Sequence, residues 1–351
     1  MLEVVSGFGL GGAEKALAAR MNCLPEMFEQ TVLNVRPEID AFFPVGEYEE
    51  VKVFRRGFKG LLSIRKFLVL RNFDVVIVRT PLDAIRFGFM KKFCGENGFK
   101  LVFEAHSNFV TKKVGFQFVL GFFLRWNFRN IDLVIGVSDN VIRGPLCSGH
   151  RNVHKVYLGS RLDSLGLRSD SGSFPHLLFV GRLVDLKRPI WLLERVLNLR
   201  SQLSLPRPTL TVVGTGPLEA SVRTFIQLNG LEEEIRFVGA VSDVSSYYAA
   251  ATHLVSCSTN EGLPLTFFEA KMAGLSILAT PSGGGSEIFD AQDHELLSFS
   301  EEEFEQALFK ILSAAPPTLE MRRTIQSKSS WMTTEVCAKQ YYALLAQLAS
   351  S

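Results

Sequence analysis

Residues 258–287 read STNEGLPLTFFEAKMAGLSILATPSGGGSE. A strand ends just before this stretch, at Ser256. A polar loop leads into Gly262, Leu263 and Pro264, and a helix is expected from about Leu265. The apolar run Ser276–Ala279 is the next strand, and a glycine-rich turn closes the segment. This is one βαβ unit with short connections, the building block of a parallel sheet covered by helices.

The same alternation extends in both directions. In the first half, strands are expected at Leu2–Val5, Thr31–Asn34, Val51–Phe54, Asp74–Val78, Lys100–Glu104, Asp132–Val137 and His154–Leu158. Several are β-branched runs without polar alternation, as strands buried on both faces require. Helical patterns such as Ala13–Asn22 and Gly60–Arg71 lie between them. A second set of strands is expected at His176–Val180, Leu210–Val213, Ile235–Val238, His253–Ser256, Ser276–Ala279 and Leu296–Phe299. Between the sets, GSRLDSLGLRSDSGSFP (159–175) is rich in Ser, Gly and Asp and reads as a linker. The expected architecture is α/β, with two Rossmann-like, doubly wound domains facing each other across a cleft. The first covers 1–158 and the second 176–330.

Composition narrows the function. The 351 residues are 47% hydrophobic and 21% charged, enough apolar material for two cores and unlike a disordered chain. Five scattered cysteines fit neither a disulfide framework nor a metal-ligand spacing, so a reducing, cytoplasmic compartment is expected. The six histidines form no His-x-x-x-His pair, which speaks against zinc. Leu2–Val5 is too short for a signal-peptide core. The net charge of +2 hides an asymmetry: 20 Lys+Arg against 15 Asp+Glu in residues 1–150, then 18 against 21. The basic excess between Lys52 and Lys113 suits an anionic partner such as phospholipid headgroups, nucleic acid or a phosphorylated acceptor, with a solvated surface as the alternative. Val114–Phe128, VGFQFVLGFFLRWNF, is too short to cross a bilayer. It is expected as a buried core helix, with an interfacial amphipathic helix as the rival.

The chemistry concentrates around the opening stretch. Backbone N–H groups at Leu265 and Thr266 lie at the positive end of a helix dipole, which makes a diphosphate site. Pro264 suits the helix start because its missing N–H is not needed there. Gly262 lets a ligand approach the backbone. Glu261 can reach sugar hydroxyls, and Glu269, about one turn into the helix, can accept from ribose hydroxyls. Arg182 and Lys187 follow the first strand of the second domain and could clamp a diphosphate leaving group.

Taken together, these motifs resemble the family 4 retaining glycosyltransferases of the GT-B fold. The resemblance rests on SGFGLGGAEKAL at the start, VGRLVDLK, VVGTGP at 212–217, FVGAVSDVSSYYAAATHLVSCS, Glu261-x7-Glu269, and the C-terminal SSWMTTEVCAKQYYALL. It implies retaining transfer of a sugar from a UDP- or GDP-linked donor to a glycan or lipid-linked acceptor. No cofactor or metal is implied, since Arg182, Lys187 and a helix N-terminus serve the diphosphate. Gly11 and Gly12 resemble the loop near the donor phosphates. His106 resembles the histidine facing the transferred sugar, and Glu261 the residue that holds that sugar. Residues 331–351 resemble the closing helix that crosses back to the first domain. A peripheral place on the inner membrane face is expected, and no nucleic-acid partner. The alternatives are a nucleotide-sugar 2-epimerase of the same fold and a non-catalytic nucleotide-sugar-binding protein.

Overall fold

The computed structural model describes residues 1–5, 12–34, 49–52, 58–92, 98–108, 114–160, 174–200, 202, 209–290, 296–298 and 300–351. The strands are Leu2–Val5 (β1), Thr31–Asn34 (β2), Glu49–Lys52 (β3), Val75–Val78 (β4), Lys100–Ala105 (β5), Leu133–Gly136 (β6), Val153–Lys155 (β7), Leu177–Val180 (β8), Leu210–Val213 (β9), Ile235–Gly239 (β10), His253–Ser256 (β11), Ser276–Ala279 (β12) and Leu296–Leu297 (β13). The helices are Gly12–Met21 (α1), Phe58–Arg71 (α2), Pro81–Lys91 (α3), Val114–Asn127 (α4), Asp139–Ile142 (α5), Pro189–Arg200 (α6), Glu219–Leu228 (α7), Ser245–Ala250 (α8), Leu265–Met272 (α9), Glu301–Ser313 (α10), Leu319–Ser327 (α11) and Thr334–Ala349 (α12). The chain divides into two compact units, Met1–Gly159 with Thr334–Ser351, and Ser160–Thr333.

The first unit is built on a parallel sheet of order β3-β2-β1-β4-β5-β6-β7. Strand β4, VVIV, is buried throughout because helices cover both faces. The C-terminal helix α12 belongs to this unit and packs its Tyr341, Tyr342 and Leu345 against Val75, Ile77, Val102, Leu133 and Ile135. Two charged residues stand inside otherwise apolar buried strands, Glu3 in β1 and Glu104 in β5. Strand β3 begins two residues earlier than its hydrophobicity suggests, with Glu49 already paired to Thr31 of β2, and Val53 lies outside the described residues. Phe54 lies outside the described residues, as do 161–173 of the linker stretch.

The second unit repeats the plan with order β10-β9-β8-β11-β12-β13, also parallel. Leu177, Phe179, Leu192, Val196, Leu210, Val212 and Phe304 anchor its core. In both sheets the strand order reverses direction once, between β1 and β4 in the first and between β8 and β11 in the second. The carboxyl ends of such strand pairs are where doubly wound sheets hold ligands.

The C-terminal half of helix α4 departs from the expected buried core helix. Leu124 and Asn127 face inward, whereas Phe122, Phe123 and Trp126 are exposed. Arg129 and Lys92 lie over the Trp126 ring at 4.9 and 5.3 Å. Among the described residues no helix is long and apolar enough to cross a membrane.

Candidate functional site

In the second unit, β8 and β11 are neighbours, so the loops leaving their carboxyl ends lie side by side. The Leu186 carbonyl accepts from the Thr259 N–H at 3.0 Å and stitches the two loops together. Lys187, at the end of a 3-10 turn, thereby meets Glu261, Nζ to Oε1 at 2.7 Å. Both side chains are mostly covered. Arg182, in the same loop as Lys187, is exposed. The VGTG segment braces this loop from behind: the Thr215 carbonyl accepts from Leu183 N–H at 2.9 Å. At Gly214, where φ is +143°, a Cβ would lie 1.9 Å from the Gly181 carbonyl oxygen, so only glycine fits.

Glu261 is fixed by its own backbone. Its N–H donates to Ser282 O at 2.8 Å and its carbonyl accepts from Gly284 N–H at 3.2 Å. Helix α9 starts four residues later. Pro264 is its N-cap rather than its first helical residue, in an extended conformation. The helix still begins at Leu265, so the N–H groups of Leu265 and Thr266 have no acceptor within the helix. Gly262 and Leu263 are buried at this entry. The opposite end of α9 is held by a buried cation: Arg322 donates to the carbonyls of Gly274 and Ala273 at 3.3 and 3.2 Å. A cation there complements the negative end of the dipole.

Glu269 is set deeper than the other predicted residues. It is buried, and Tyr248 donates to its Oε2 at 2.6 Å. Burial, then the neighbouring carboxylate, pushes the Tyr248 hydroxyl pKa well up, so the phenol stays protonated and donating. The second unit thus brings Lys187 and Glu261 into contact beside the start of α9, and leaves Glu269 on the core side of that helix. Among the described residues no cluster of His, Cys, Asp and Glu forms a metal site.

In the first unit, Gly12 opens α1 and is exposed, and Gly11 lies outside the described residues. His106 directly follows β5. Two residues earlier on the same strand, the Glu104 carboxylate is the hub of a buried network. Arg20 grips it with both terminal nitrogens, each at 2.9 Å. Arg79 donates at 3.0 Å and Tyr341 of α12 at 2.9 Å. Arg79 also bonds Glu3 at 2.5 Å. The Arg20 guanidinium lies 3.6 Å over the Tyr341 ring. Burial opposes the charge on Glu104, but Arg20, Arg79 and His106 outweigh it and hold the carboxyl well below the usual glutamate range.

Residues 174–314 match the family model described as Glycosyl transferases group 1. An 84-residue stretch is 36% identical to the Vi polysaccharide biosynthesis protein VipC/TviE of Salmonella typhi, covering 24% of this chain and 14% of that protein. Over 289 residues the chain is 26% identical to the GalNAc-alpha-(1->4)-GalNAc-alpha-(1->3)-diNAcBac-PP-undecaprenol alpha-1,4-N-acetyl-D-galactosaminyltransferase of Campylobacter jejuni, 76% of this chain and 75% of that one. The crystal structure of Anabaena HepE in complex with UDP superposes with a TM-score of 0.74 at 16% identity, covering 99% of both chains. The fold is GT-B.

Two parts of this GT-B chain escaped the motif reading. One is the Glu104 network, whose signal was present as a lone acid inside each of LEVV and KLVFEA. An acid on a strand buried on both faces needs a cationic partner. The other is Tyr248, hidden in an alanine- and tyrosine-rich helix.

Proposed function

We propose that the chain is a retaining, metal-independent glycosyltransferase of family 4. It moves a sugar from a UDP- or GDP-linked donor to a glycan or lipid-linked acceptor in polysaccharide or glycolipid biosynthesis. The observation that carries this is the Lys187–Glu261 pair beside the start of α9, at the reversal of the second sheet. A cation and a helix N-terminus together suit a diphosphate. Arg182 adds a second cation, Glu261 takes the sugar hydroxyls, and Glu269, steadied by Tyr248, takes the ribose. His106 acts at the transferred sugar. The group 1 match over 174–314 and the polysaccharide and undecaprenol-linked names of the relatives support the same class.

A thermal-shift screen over UDP- and GDP-sugars tests the donor assignment, since a ligand that binds only the native state raises its stability. At least one nucleotide sugar should raise the melting temperature of the native chain and of neither Glu261→Ala nor Arg182→Ala. Stabilisation that survives both substitutions refutes the site. Consumption of the donor with no acceptor present would instead indicate the epimerase reading.

The acceptor side is proposed to work on an anionic membrane surface at the cytoplasmic face. Phe122, Phe123 and Trp126 beside Lys92, Arg125 and Arg129 form an aromatic-basic face suited to headgroups. Flotation with vesicles containing anionic lipid at low salt should carry the protein. Absence of binding there would refute this part.

A further inference from the structure

The Glu104 carboxylate is engaged unevenly. Oε2 accepts from Arg20 Nη2, Arg79 Nη2 and Tyr341 Oη at 2.9, 3.0 and 2.9 Å. Among the described residues Oε1 accepts only from Arg20 Nη1, at 2.9 Å, and His106 Nε2 stands 3.0 Å from it. That separation is an ion-pair distance, but the ring is turned off the hydrogen-bonding direction. Neither His106 nitrogen has a hydrogen-bond partner among the described residues, although both atoms are buried from solvent. An imidazole with two buried, unsatisfied nitrogens is uncommon. The histidine χ2 well is broad, so rotation of the ring about χ2 can bring Nε2–H towards Oε1.

We propose that Glu104 is a positioning residue that selects the His106 tautomer, accepting from Nε2–H and leaving Nδ1 unprotonated. The chemistry follows from what the carboxylate can do. Ionised, it only accepts, so the nitrogen facing it must carry the proton. Arg20, Arg79 and Tyr341 hold the carboxylate through both of its oxygens, so it cannot swing away from the ring. The C-terminal helix α12 therefore reaches the histidine through one phenol and one carboxylate. The precedent in chemistry is general: an acid behind a histidine sets its tautomer and its orientation. This inference rests on reading His106 as the histidine that acts at the sugar.

Nitrogen-15 and proton spectroscopy of the ring tests it on the full chain without any ligand, in the pH range where the ring is neutral. His106→Asn identifies the signal among the six histidines. The expected result is one tautomer, with a solvent-protected Nε2–H and an unprotonated Nδ1. In Glu104→Gln that protected signal is lost, and in Tyr341→Phe, which leaves Oε1 untouched, it persists. A proton on Nδ1 in the native protein overturns the proposal. So does an Nε2–H signal indifferent to Glu104→Gln. Should Glu104→Gln fail to fold, the native and Tyr341→Phe spectra still decide. Failure of the transferase reading would show as no turnover of any nucleotide sugar, an outcome separate from this spectrum.

Discussion

Replacing Glu104 by Gln keeps the shape of the side chain and removes its charge. Four donor contacts, all between 2.9 and 3.0 Å, then lose their ionic acceptor. Glu3 is left as the carboxylate partner of two buried guanidiniums. Each lost Arg–carboxylate attraction is about 4 kcal/mol at an effective dielectric of about 20, offset by the relieved desolvation of the acid. Removing one partner of a buried pair costs about 3–5 kcal/mol in comparable sites, and this loss should fall in that range. For a unit of this size it lowers the melting temperature on the order of 10 °C. Trp126 reports on the first unit and Trp191 and Trp331 on the second, so tryptophan fluorescence of single-Trp variants separates the two transitions. The first should move and the second should not. The pH dependence has a definite sign. The folded pKa of Glu104 is depressed below the ordinary value of 4.5, so its contribution is complete above that value and is lost as pH falls through the folded pKa. The gap between native and variant protein should be widest near neutrality and narrow below about pH 4.5. A first-unit transition that moves by less than about 1 kcal/mol at pH 7 would refute the account of the network as a mutually dependent set.

Other substitutions probe the second unit. Arg322→Ala strips two buried carbonyls at the end of α9 and should cost about 1–3 kcal/mol in urea unfolding of that unit. Gly214→Ala drives a Cβ to 1.9 Å from Gly181 O and should destabilise by more than about 2 kcal/mol, measured the same way. Lys187→Ala leaves the mostly covered Glu261 carboxylate without its cation and should cost about 1–3 kcal/mol in the same urea measurement, while abolishing the thermal shift given by the nucleotide sugar found in the screen. Tyr248→Phe leaves buried Glu269 one donor short and should cost about 1–3 kcal/mol in the same urea measurement.

The sheets could be read from the sequence because parallel strands covered on both faces are continuous apolar runs, as in VVIV and LTVV. Strand limits were less visible, because the partner's register sets them. Val153–Lys155 stops where its pairing with Val134–Gly136 stops, though the apolar pattern runs on to Leu158. Motif spacing singled out Lys187 and Glu261, and the structure brings them into contact because both sit on short loops leaving adjacent strands. It could not find the Glu104 set, whose members come from positions 3, 20, 79, 104 and 341 and meet only when β1, α1, the end of β4, β5 and α12 are assembled. The exposed aromatic face of α4 was hidden for a related reason. A helix this apolar reads as core until the tertiary fold decides which side is covered.

The two sheets share a winding rule and use its consequence differently. In the second unit, the reversal between β8 and β11 opens two loops onto a helix start, and the polar groups there are a cation, a carboxylate and backbone N–H. In the first unit, the reversal between β1 and β4 is packed with two guanidiniums and two acids, and His106 stands at its edge. Such packing adds little net stability relative to an apolar core of the same volume. What it supplies is rigidity of direction: a carboxylate held from three sides presents its remaining lone pair along one line. A flexible acid at the same position would let the ring turn and exchange tautomers. The first unit therefore has a physical reason to keep charges in its core that stability alone does not give, and the orientation of one imidazole is the property that would disappear with them.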